Sequence, residues 1–151
     1  MKYKYPVILE KIDNEFVIQF PDVPEALTSG DNKLEALEEA RDALEEALAA
    51  RMKNNEDIPV PSSLDKYQHS VLVSFSIALK VALYIYLREN HINQSQLANI
   101  LGINEKEVRR LLDPKHNSTI KSLGKAYQTL DFNYQIEIPA KKNFTENRVQ
   151  Q

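Results

Sequence analysis

Cysteine is absent from this chain of 151 residues, which excludes disulfide bridges and thiolate metal sites. Long apolar runs are scarce as well. The longest spans residues 71–87, contains Lys80 and changes its hydrophobic period part-way, so it predicts a buried strand followed by a buried helix rather than a membrane span. The N-terminal residues alternate and soon become charged, without the apolar core of a signal peptide. We therefore expect a cytoplasmic chain that contacts no membrane.

Charge is distributed unevenly along the chain, although the net charge is only -3. Residues 1–67 contain 8 Lys and Arg against 15 Asp and Glu, whereas residues 68–130 contain 8 against 4. An acidic stretch favours a basic partner, and a basic stretch favours an acidic partner such as nucleic acid. The sequence therefore indicates two modules that bind different partners.

The N-terminal half predicts a small antiparallel sheet. Apolar residues alternate with polar ones at 3–10 and 15–20, and the turn signal Asp13–Asn14 joins these two stretches into a predicted hairpin. Further short strands are expected at 26–29 and 70–75, because both are rich in strand-forming residues and bounded by turn signals.

A long amphipathic helix is expected between the third and fourth strands. Asn32 is expected to cap it, with Glu35 as the reciprocal partner, and the helix should fray near Asn54. One side of this helix carries six carboxylates and the other is apolar, which is typical of a helix that packs one side against a core. The predicted apolar side consists of Leu34, Leu37, Ala40, Leu44, Ala47 and Leu48.

From Ser76 the apolar spacing becomes helical, which predicts an all-α second domain. The expected elements are helices at 77–89, 94–101, 105–112 and 119–130, followed by a short strand over Phe132–Ile138. The predicted fold class is therefore α+β. The predicted divisions are a first domain at 1–75 with a linker-like segment at 58–69 inside it, a second domain at 76–138, and a frayed tail at 139–151.

Two short helices on either side of Gly102 have the spacing of a helix-turn-helix. Gly102 follows the first helix, where a positive φ favours glycine, and Asn104 is expected to cap the second helix together with Glu107. The pattern resembles the repressor-type helix-turn-helix family, in which the second helix enters the major groove of DNA. The alternative is that the helices pack in a bundle that binds protein.

This resemblance assigns candidate DNA contacts. Gln94 matches the position that contacts phosphate at the start of the first helix. Lysine and arginine on the second helix offer donors to guanine edges, asparagine can pair with adenine, and a glutamate can accept from cytosine, although it also repels phosphate. The candidate DNA contacts are Gln94, Ser95, Gln96, Asn104, Glu105, Lys106, Arg109, Arg110 and Lys115.

A single helix-turn-helix of this size provides too little contact for specific binding to DNA. We therefore expect a homodimer or higher homo-oligomer on double-stranded operator DNA, with the two helix-turn-helix units about one turn of the DNA helix apart. The last helix and the strand at 132–138 are the candidate contact surfaces, because a strand with an unpaired edge is readily completed by its own copy. Pairing of that strand within one chain is the alternative.

Several motifs of the N-terminal half occur together in one known family. Phe20–Pro24 reads F-P-D-x-P at the end of the hairpin, Thr28–Asp31 reads T-x-G-D, and an acidic, alanine-rich helix follows from Glu35. A later I-P-V-P-S begins at Ile58. In this order the motifs resemble the HicB antitoxins of bacterial toxin–antitoxin systems over residues 3–138, in the branch with a C-terminal helix-turn-helix.

The resemblance implies a function for both halves. It implies a partial ribonuclease-H-like β-β-β-α-β domain that binds a HicA toxin, which is a small basic ribonuclease that cuts mRNA. It also implies a C-terminal domain that binds the promoter of the chain's own operon and represses it. Acidic groups opposite the basic RNA-binding groups of a toxin would explain the charge distribution. The alternative is a stand-alone transcriptional regulator whose first domain binds another protein or a ligand.

Candidate toxin contacts cluster in the turns that precede the long helix. They are Phe20, Asp22, Val23, Glu25, Thr28 and Asp31. The polar members also fit turn formers and helix caps, and the two apolar members also fit core residues, so both interpretations stay open.

We expect no catalytic, metal or cofactor site. A two-metal nuclease needs several carboxylates that converge on one cleft, whereas only Glu10, Asp13 and Asp22 lie near strand ends. The three histidines also lack the spacing of metal ligands.

Overall fold

The computed structural model describes residues 1–137, which form a mixed α+β fold as expected. Within this range there are four strands and five α-helices: β1 Lys4–Ile12, β2 Glu15–Gln19, β3 Thr28–Gly30, α1 Lys33–Lys53, β4 His69–Leu72, α2 Phe75–Glu89, α3 Gln94–Leu101, α4 Glu105–Leu112 and α5 Ile120–Thr129. A 3-10 turn, Leu64–Lys66, precedes β4. The predicted tail at 139–151 lies outside the described residues.

The four strands form one antiparallel sheet in the order β3-β2-β1-β4. Asp13 and Asn14 join β1 to β2 with φ values of 47° and 68°, as in the two-residue turns that match the twist of a hairpin. The predicted hairpin is therefore confirmed. Strands β3 and β4 are shorter than predicted, and both form edges of the sheet.

The end of β3 approaches the start of α1 so closely that only glycine fits. A Cβ atom added at Gly30 would lie 2.6 Å from the Ala36 backbone nitrogen and 2.9 Å from its Cα atom. The next nearest atom, the backbone carbonyl carbon of Glu35 at 3.1 Å, also belongs to the start of α1, so no flexible side chain is there to move away. The glycine of the T-x-G-D motif thus sets how tightly the sheet and α1 pack.

The cap of α1 differs in one contact from the predicted capping box. The Asn32 side chain accepts a hydrogen bond from the Glu35 N–H at 2.9 Å, as expected. The Glu35 carboxylate, however, accepts from the N–H of Asp31 at 3.2 Å and not from that of Asn32. The side-chain hydrogen bond that closes the first turn of α1 therefore comes from Asp31, one residue earlier than the sequence predicted.

The buried side of α1 consists of alanines, leucines and one methionine at three- and four-residue intervals. Its buried residues are Ala36, Ala40, Leu44, Ala47, Leu48 and Met52. Leu34, which was expected on this side, is 54% exposed. Leu34 lies in the first turn of α1, where Ala36 is the residue that is buried against the core.

Buried side chains form two clusters. The first lies between the sheet and α1, and the second lies among α2, α3, α4 and α5. Helix α2 contributes to both, since Val81 and Tyr84 belong to the first cluster and Leu83 and Leu87 to the second. The expected domain boundary near residue 75 thus falls at the start of a helix that both cores share.

Helix α2 is also tied to the first half at both ends. The Glu45 carboxylate of α1 accepts from the Ser74 N–H at 2.7 Å, just before α2 begins. Near the other end, the Tyr84 hydroxyl donates to the Glu56 carbonyl at 2.7 Å, and the Arg88 guanidinium pairs with Asp57 at 2.6 Å. These contacts hold the two cores in a fixed relation.

The segment predicted as linker-like, 58–69, is extended apart from its 3-10 turn, but it packs against the sheet. Ile58 is buried in the first core. The Tyr5 hydroxyl donates to the Pro59 carbonyl at 2.7 Å, and the Ser62 N–H donates to Asp22 at 2.8 Å. It therefore serves as a structural part of the first half rather than as a free connection.

Within the single chain, the strand predicted over Phe132–Ile138 is absent from its described part, residues 132–137. No strand within residues 1–137 pairs with this segment, and a strand needs the backbone of a partner. Phe132 instead packs its ring against Tyr86 and Tyr127, each at a centroid distance of 4.7 Å. Ile138 lies outside the described residues.

Candidate functional site

The turn between α3 and α4 has the conformation that the sequence predicted. Gly102 adopts φ 68° and ψ 32°, in the left-handed region that glycine enters at the lowest cost. The N–H of Ile103 then bonds back to the Ala98 carbonyl at 3.1 Å, which closes the end of α3. Leu97, Ala98 and Leu101 of α3 are buried. The two helices are therefore held in a defined relation by the second core.

Both short helices begin with a complete capping box, as predicted for α4. The Asn104 side chain accepts from the Glu107 N–H at 2.9 Å, and the Glu107 carboxylate accepts from the Asn104 N–H at 3.1 Å. At the start of α3, the Gln96 amide oxygen accepts from the Asn93 N–H at 2.9 Å in the same way. The oxygens of Asn104 and Gln96 are thus engaged within the chain, which leaves only their NH₂ groups for DNA.

All nine candidate DNA contacts have exposed side chains. On α4 the buried residues Val108 and Leu111 face the core, and the positive groups of Lys106, Arg109 and Arg110 lie outside it. Within residues 1–137 none of these three cations forms an ion pair. The outward surface of α4 therefore carries three cations that are unpaired within residues 1–137, next to the exposed carboxylates of Glu105 and Glu107 in its first turn.

One candidate DNA contact already has an anionic partner. The Lys115 ammonium lies 3.0 Å from the Glu46 carboxylate of α1, and both side chains are largely exposed. Such exposed pairs contribute only about 0–1 kcal/mol, so a phosphate can replace the carboxylate. The pair also shows that the acidic helix lies beside the turn that follows α4.

Two of the candidate toxin contacts are core residues. Phe20 is 1% exposed and Val23 is fully buried, and both belong to the first cluster. Their assignment as an anchor for a partner is therefore wrong, because both side chains are buried in the core between the sheet and α1. Core packing, the second interpretation that the sequence allowed, is what the structure has.

Two further candidates are engaged inside the chain. The Asp22 carboxylate accepts from the N–H and the hydroxyl of Ser62, at 2.8 and 2.5 Å. Glu25 forms an ion pair with Arg51, and the hydrogen bond from the Arg51 guanidinium holds the pKa of the Glu25 carboxyl below its usual range. These two carboxylates fasten the turns to neighbouring segments.

The last two candidates lie where β3 leads into α1. Thr28 is half-buried in β3, opposite Ile18 of β2. Asp31 has an exposed side chain, and its backbone N–H donates to Glu35. Of the six candidates, Asp31 is thus the one whose side chain is exposed and has no partner within the described residues.

A larger acidic surface lies on the outward side of α1. Glu38, Glu39 and Asp42 are exposed, and within residues 1–137 none of them forms an ion pair or hydrogen bond. The sequence predicts these residues on the solvated side of the helix, and the candidate toxin contacts lie in the turns before it. Their three- and four-residue spacing together with the excess of carboxylates was the signal that could have identified them.

The described residues contain no cluster of potential metal ligands. No three His, Asp or Glu side chains within residues 1–137 come together as a metal site would require. Among the helices of this part of the chain, none has both the length and the apolar character of a bilayer span.

Comparison with known proteins identifies the family. The sequence model described as "HicB_like antitoxin of bacterial toxin-antitoxin system" matches residues 4–82. Antitoxin HicB 1 of Photorhabdus laumondii is 37% identical over 89% of this chain and 86% of its own. The chain belongs to the HicB-like antitoxin family. Antitoxin HicB of Escherichia coli is 36% identical, over 84% of this chain and 93% of its own.

The solved structure of the N-terminal domain of Burkholderia pseudomallei antitoxin HicB is also similar, with a TM-score of 0.39 and 22% identity over 47% of this chain and 95% of that domain. Membership in the HicB antitoxin family, which the motifs of the N-terminal half predicted, is confirmed by the family match and the relatives. The same family membership agrees with the expectation that the chain is not an enzyme, because these relatives are antitoxins.

Proposed function

We propose that this HicB-like chain neutralises a small basic HicA-type toxin that cuts mRNA, and that it represses its own operon by binding double-stranded DNA. The observation that carries the proposal is membership in the antitoxin family, with relatives that match 84–89% of the chain. The division of labour follows the charge, with toxin binding assigned to residues 1–75 and DNA binding to residues 76–138.

The toxin-binding face is assigned to the outward side of α1 and the adjoining Asp31. Glu38, Glu39 and Asp42 present carboxylates that no group within residues 1–137 neutralises. A toxin that binds RNA must carry cations, and carboxylates opposite those cations speed association and cover the RNA-binding surface. The β-β-β-α-β order of this half also fits the ribonuclease-H-like fold that the family resemblance implies.

Growth rescue tests the neutralisation. The chain is co-expressed with the product of the small gene beside its own, which is expected to arrest growth when expressed alone. The expected result is restored growth and a stable complex of the two proteins. Continued arrest with the chain present in soluble form would contradict the assignment.

DNA binding is assigned to α3, the turn at Gly102 and α4 acting as a helix-turn-helix. The support is the pair of capped helices, the left-handed glycine between them and the exposed cations of α4. In this arrangement α4 enters the major groove, where Lys106, Arg109 and Arg110 reach base edges or phosphates. Gln94 and Ser95 at the start of α3, with Lys115 after α4, then contact the backbone on either side.

Gel shifts with the DNA upstream of the gene test this assignment. Arg109→Ala and Arg110→Ala are each expected to weaken binding by about 1–3 kcal/mol if the side chain reads a base. Arg41→Ala on α1 is the matched control, because Arg41 is also an exposed helical arginine. Unchanged binding in both α4 variants would remove α4 from the interface.

The chain is proposed to bind DNA as a homodimer through its C-terminal segment. Within residues 132–137 the Tyr134 and Ile136 side chains are each 53% exposed, and the backbone has no strand partner in the described chain. A second copy would supply that partner edge to edge. Light scattering that gives the mass of a single chain at micromolar concentration would contradict this assembly.

A further inference from the structure

Lys80 is a buried cation in the middle of α2. Its side chain is 1% exposed, and among the buried residues of that helix Lys80 alone carries a charge. The ammonium donates to the carbonyl of Arg110 at 2.9 Å and to the carbonyls of Asp113 and His116 at 2.7 Å each. It also lies 2.8 Å from the Ser118 hydroxyl. Four acceptors thus surround one group that has three N–H bonds.

These acceptors belong to the last turn of α4 and to the turn that follows it. The final carbonyls of a helix have no partner within the helix, and a cation there also offsets the negative end of the helix dipole. The Asp113 and His116 carbonyls accept from backbone N–H groups of the same turn as well, at 3.0 Å each. The turn at 113–118 therefore surrounds the Lys80 ammonium. We call the ammonium together with its four acceptors the Lys80 clamp.

The arrangement is costly for a residue that only fills space. Within residues 1–137 no carboxylate forms an ion pair with Lys80, and burial lowers its pKa, with a smaller opposing effect from the charge of Asp113. A buried ammonium is tolerated only when hydrogen bonds replace its water. A methionine would occupy nearly the same volume without that cost, but it could not donate to the four acceptors that the ammonium reaches.

The groups that the clamp holds in place are the proposed DNA contacts. Arg109 and Arg110 lie in the last turn of α4, and Lys115 lies inside the clamped turn. All three side chains are exposed. The Ser118 hydroxyl, besides facing Lys80, donates to the Arg110 carbonyl at 3.3 Å. The position of each cation relative to the others therefore depends on one buried group that DNA cannot reach.

We propose that Lys80 is a positioning residue for DNA binding, which holds the end of α4 and the turn at 113–118 in the arrangement that meets the phosphates. The inference rests on the proposed DNA binding. Lys80 acts through Arg110 and Lys115 and contacts no nucleotide itself.

The test compares Lys80→Met with Lys53→Met in the full-length chain. Both changes remove one positive charge, but Lys53 is exposed on α1, so the control separates lost charge from lost geometry. Three quantities are measured below the melting temperature: affinity for the DNA upstream of the gene, the dependence of that affinity on salt, and hydrogen exchange of the His116 and Ser118 amides.

In Lys80→Met we expect affinity to fall by about tenfold to about 100-fold, as for loss of one base-reading contact. The salt slope should fall by about 1 for each phosphate contact that is lost, and both amides should exchange faster. Lys53→Met should leave the salt slope and the exchange rates unchanged. A lower melting temperature with unchanged affinity and unchanged salt slope would overturn the proposal, because it would show a purely structural role.

Ser118→Ala keeps the proposal testable if Lys80→Met fails to fold. This variant removes one acceptor of the Lys80 clamp without changing charge, and we expect a smaller loss of affinity with faster exchange of the turn. Unchanged affinity and exchange would overturn the proposal. If the wild-type chain itself does not shift the DNA, the proposed function fails and the proposal for Lys80 fails with it, whereas a shift by the wild-type chain with unchanged affinity in Lys80→Met and Ser118→Ala overturns the proposal for Lys80 alone.

Discussion

Reversing the charge of the exposed carboxylates on α1 is the sharpest perturbation of the proposed toxin-binding face. The variant replaces Glu38, Glu39 and Asp42 with lysine. Lysine and glutamate have similar helix propensities, and none of the three side chains forms a hydrogen bond within residues 1–137, so α1 should remain folded. The change therefore acts on the partner rather than on the fold.

The size of the effect follows from the exposure of these groups. An exposed ion pair contributes about 0.2–1 kcal/mol, and reversal replaces attraction with repulsion of similar size. Three reversals together then weaken the complex by about 1–6 kcal/mol, or roughly tenfold at the lower end. Most of the loss should be in the association rate, and added salt should reduce it, because screening acts on exposed charges.

The assay is stopped-flow association of the chain with the purified toxin at low and high salt. The control variant replaces Glu10, Glu15 and Glu89 with lysine, which changes the net charge equally at exposed positions outside α1. The α1 variant should associate much more slowly than the control at low salt, and the difference should shrink at high salt. Equal effects of the two variants would refute the assignment to α1 and would leave only a dependence on net charge.

Two further predictions concern stability. Leu44→Ala should lower the free energy of unfolding by about 2–5 kcal/mol, because Leu44 is fully buried. Leu34→Ala on the same helix should change it by less than about 0.5 kcal/mol, because Leu34 is exposed. Urea unfolding measures both values, and similar losses in the two variants would contradict the packing of α1. The pKa of Glu25 lies below its ordinary value of 4.5 because of Arg51, so this pair stabilises the fold above that pH and loses its contribution as pH falls through the lowered pKa. Glu25→Gln should therefore lose less stability than the wild-type chain on acidification from about pH 7 to about pH 3, by a small amount because the pair is exposed, and identical pH profiles would contradict the contribution of the pair.

Features that depend on neighbouring residues were predictable from the sequence. The hairpin turn at Asp13–Asn14, the bounds of α3 and α4 and the capping box of α4 all match the expectation. Each depends on side chains within three or four positions and on backbone preferences that one residue type satisfies. Such signals survive in the folded chain because no distant contact competes with them.

Features that depend on distant partners were not predictable. The carboxylate of Asp22 is bound by Ser62, which lies 40 positions away, and nothing near Asp22 indicates this contact. Lys80 stood out as the charge inside an apolar run, but its acceptors lie 30 to 38 positions further along the chain. Pattern alone therefore marked the residue without giving its role.

The predicted C-terminal strand failed for a related reason. Alternation over 132–137 indicates that a strand can form, but a strand forms only where a second backbone is present. In the described chain the aromatic ring of Phe132 packs on Tyr86 and Tyr127 instead. The choice between these states depends on a second copy, which one sequence does not contain.

The most direct measurement of the central claim is a pair of titrations on two variants. Wild-type chain, the α1 charge-reversal variant and an Arg109→Ala, Arg110→Ala double variant are each titrated with the toxin and with the DNA upstream of the gene. Two separate faces of opposite charge predict that the α1 variant loses affinity for the toxin alone and that the α4 variant loses affinity for DNA alone. The claim would be contradicted if either variant lost affinity for both the toxin and DNA. It would also be contradicted if both variants kept full affinity for both partners.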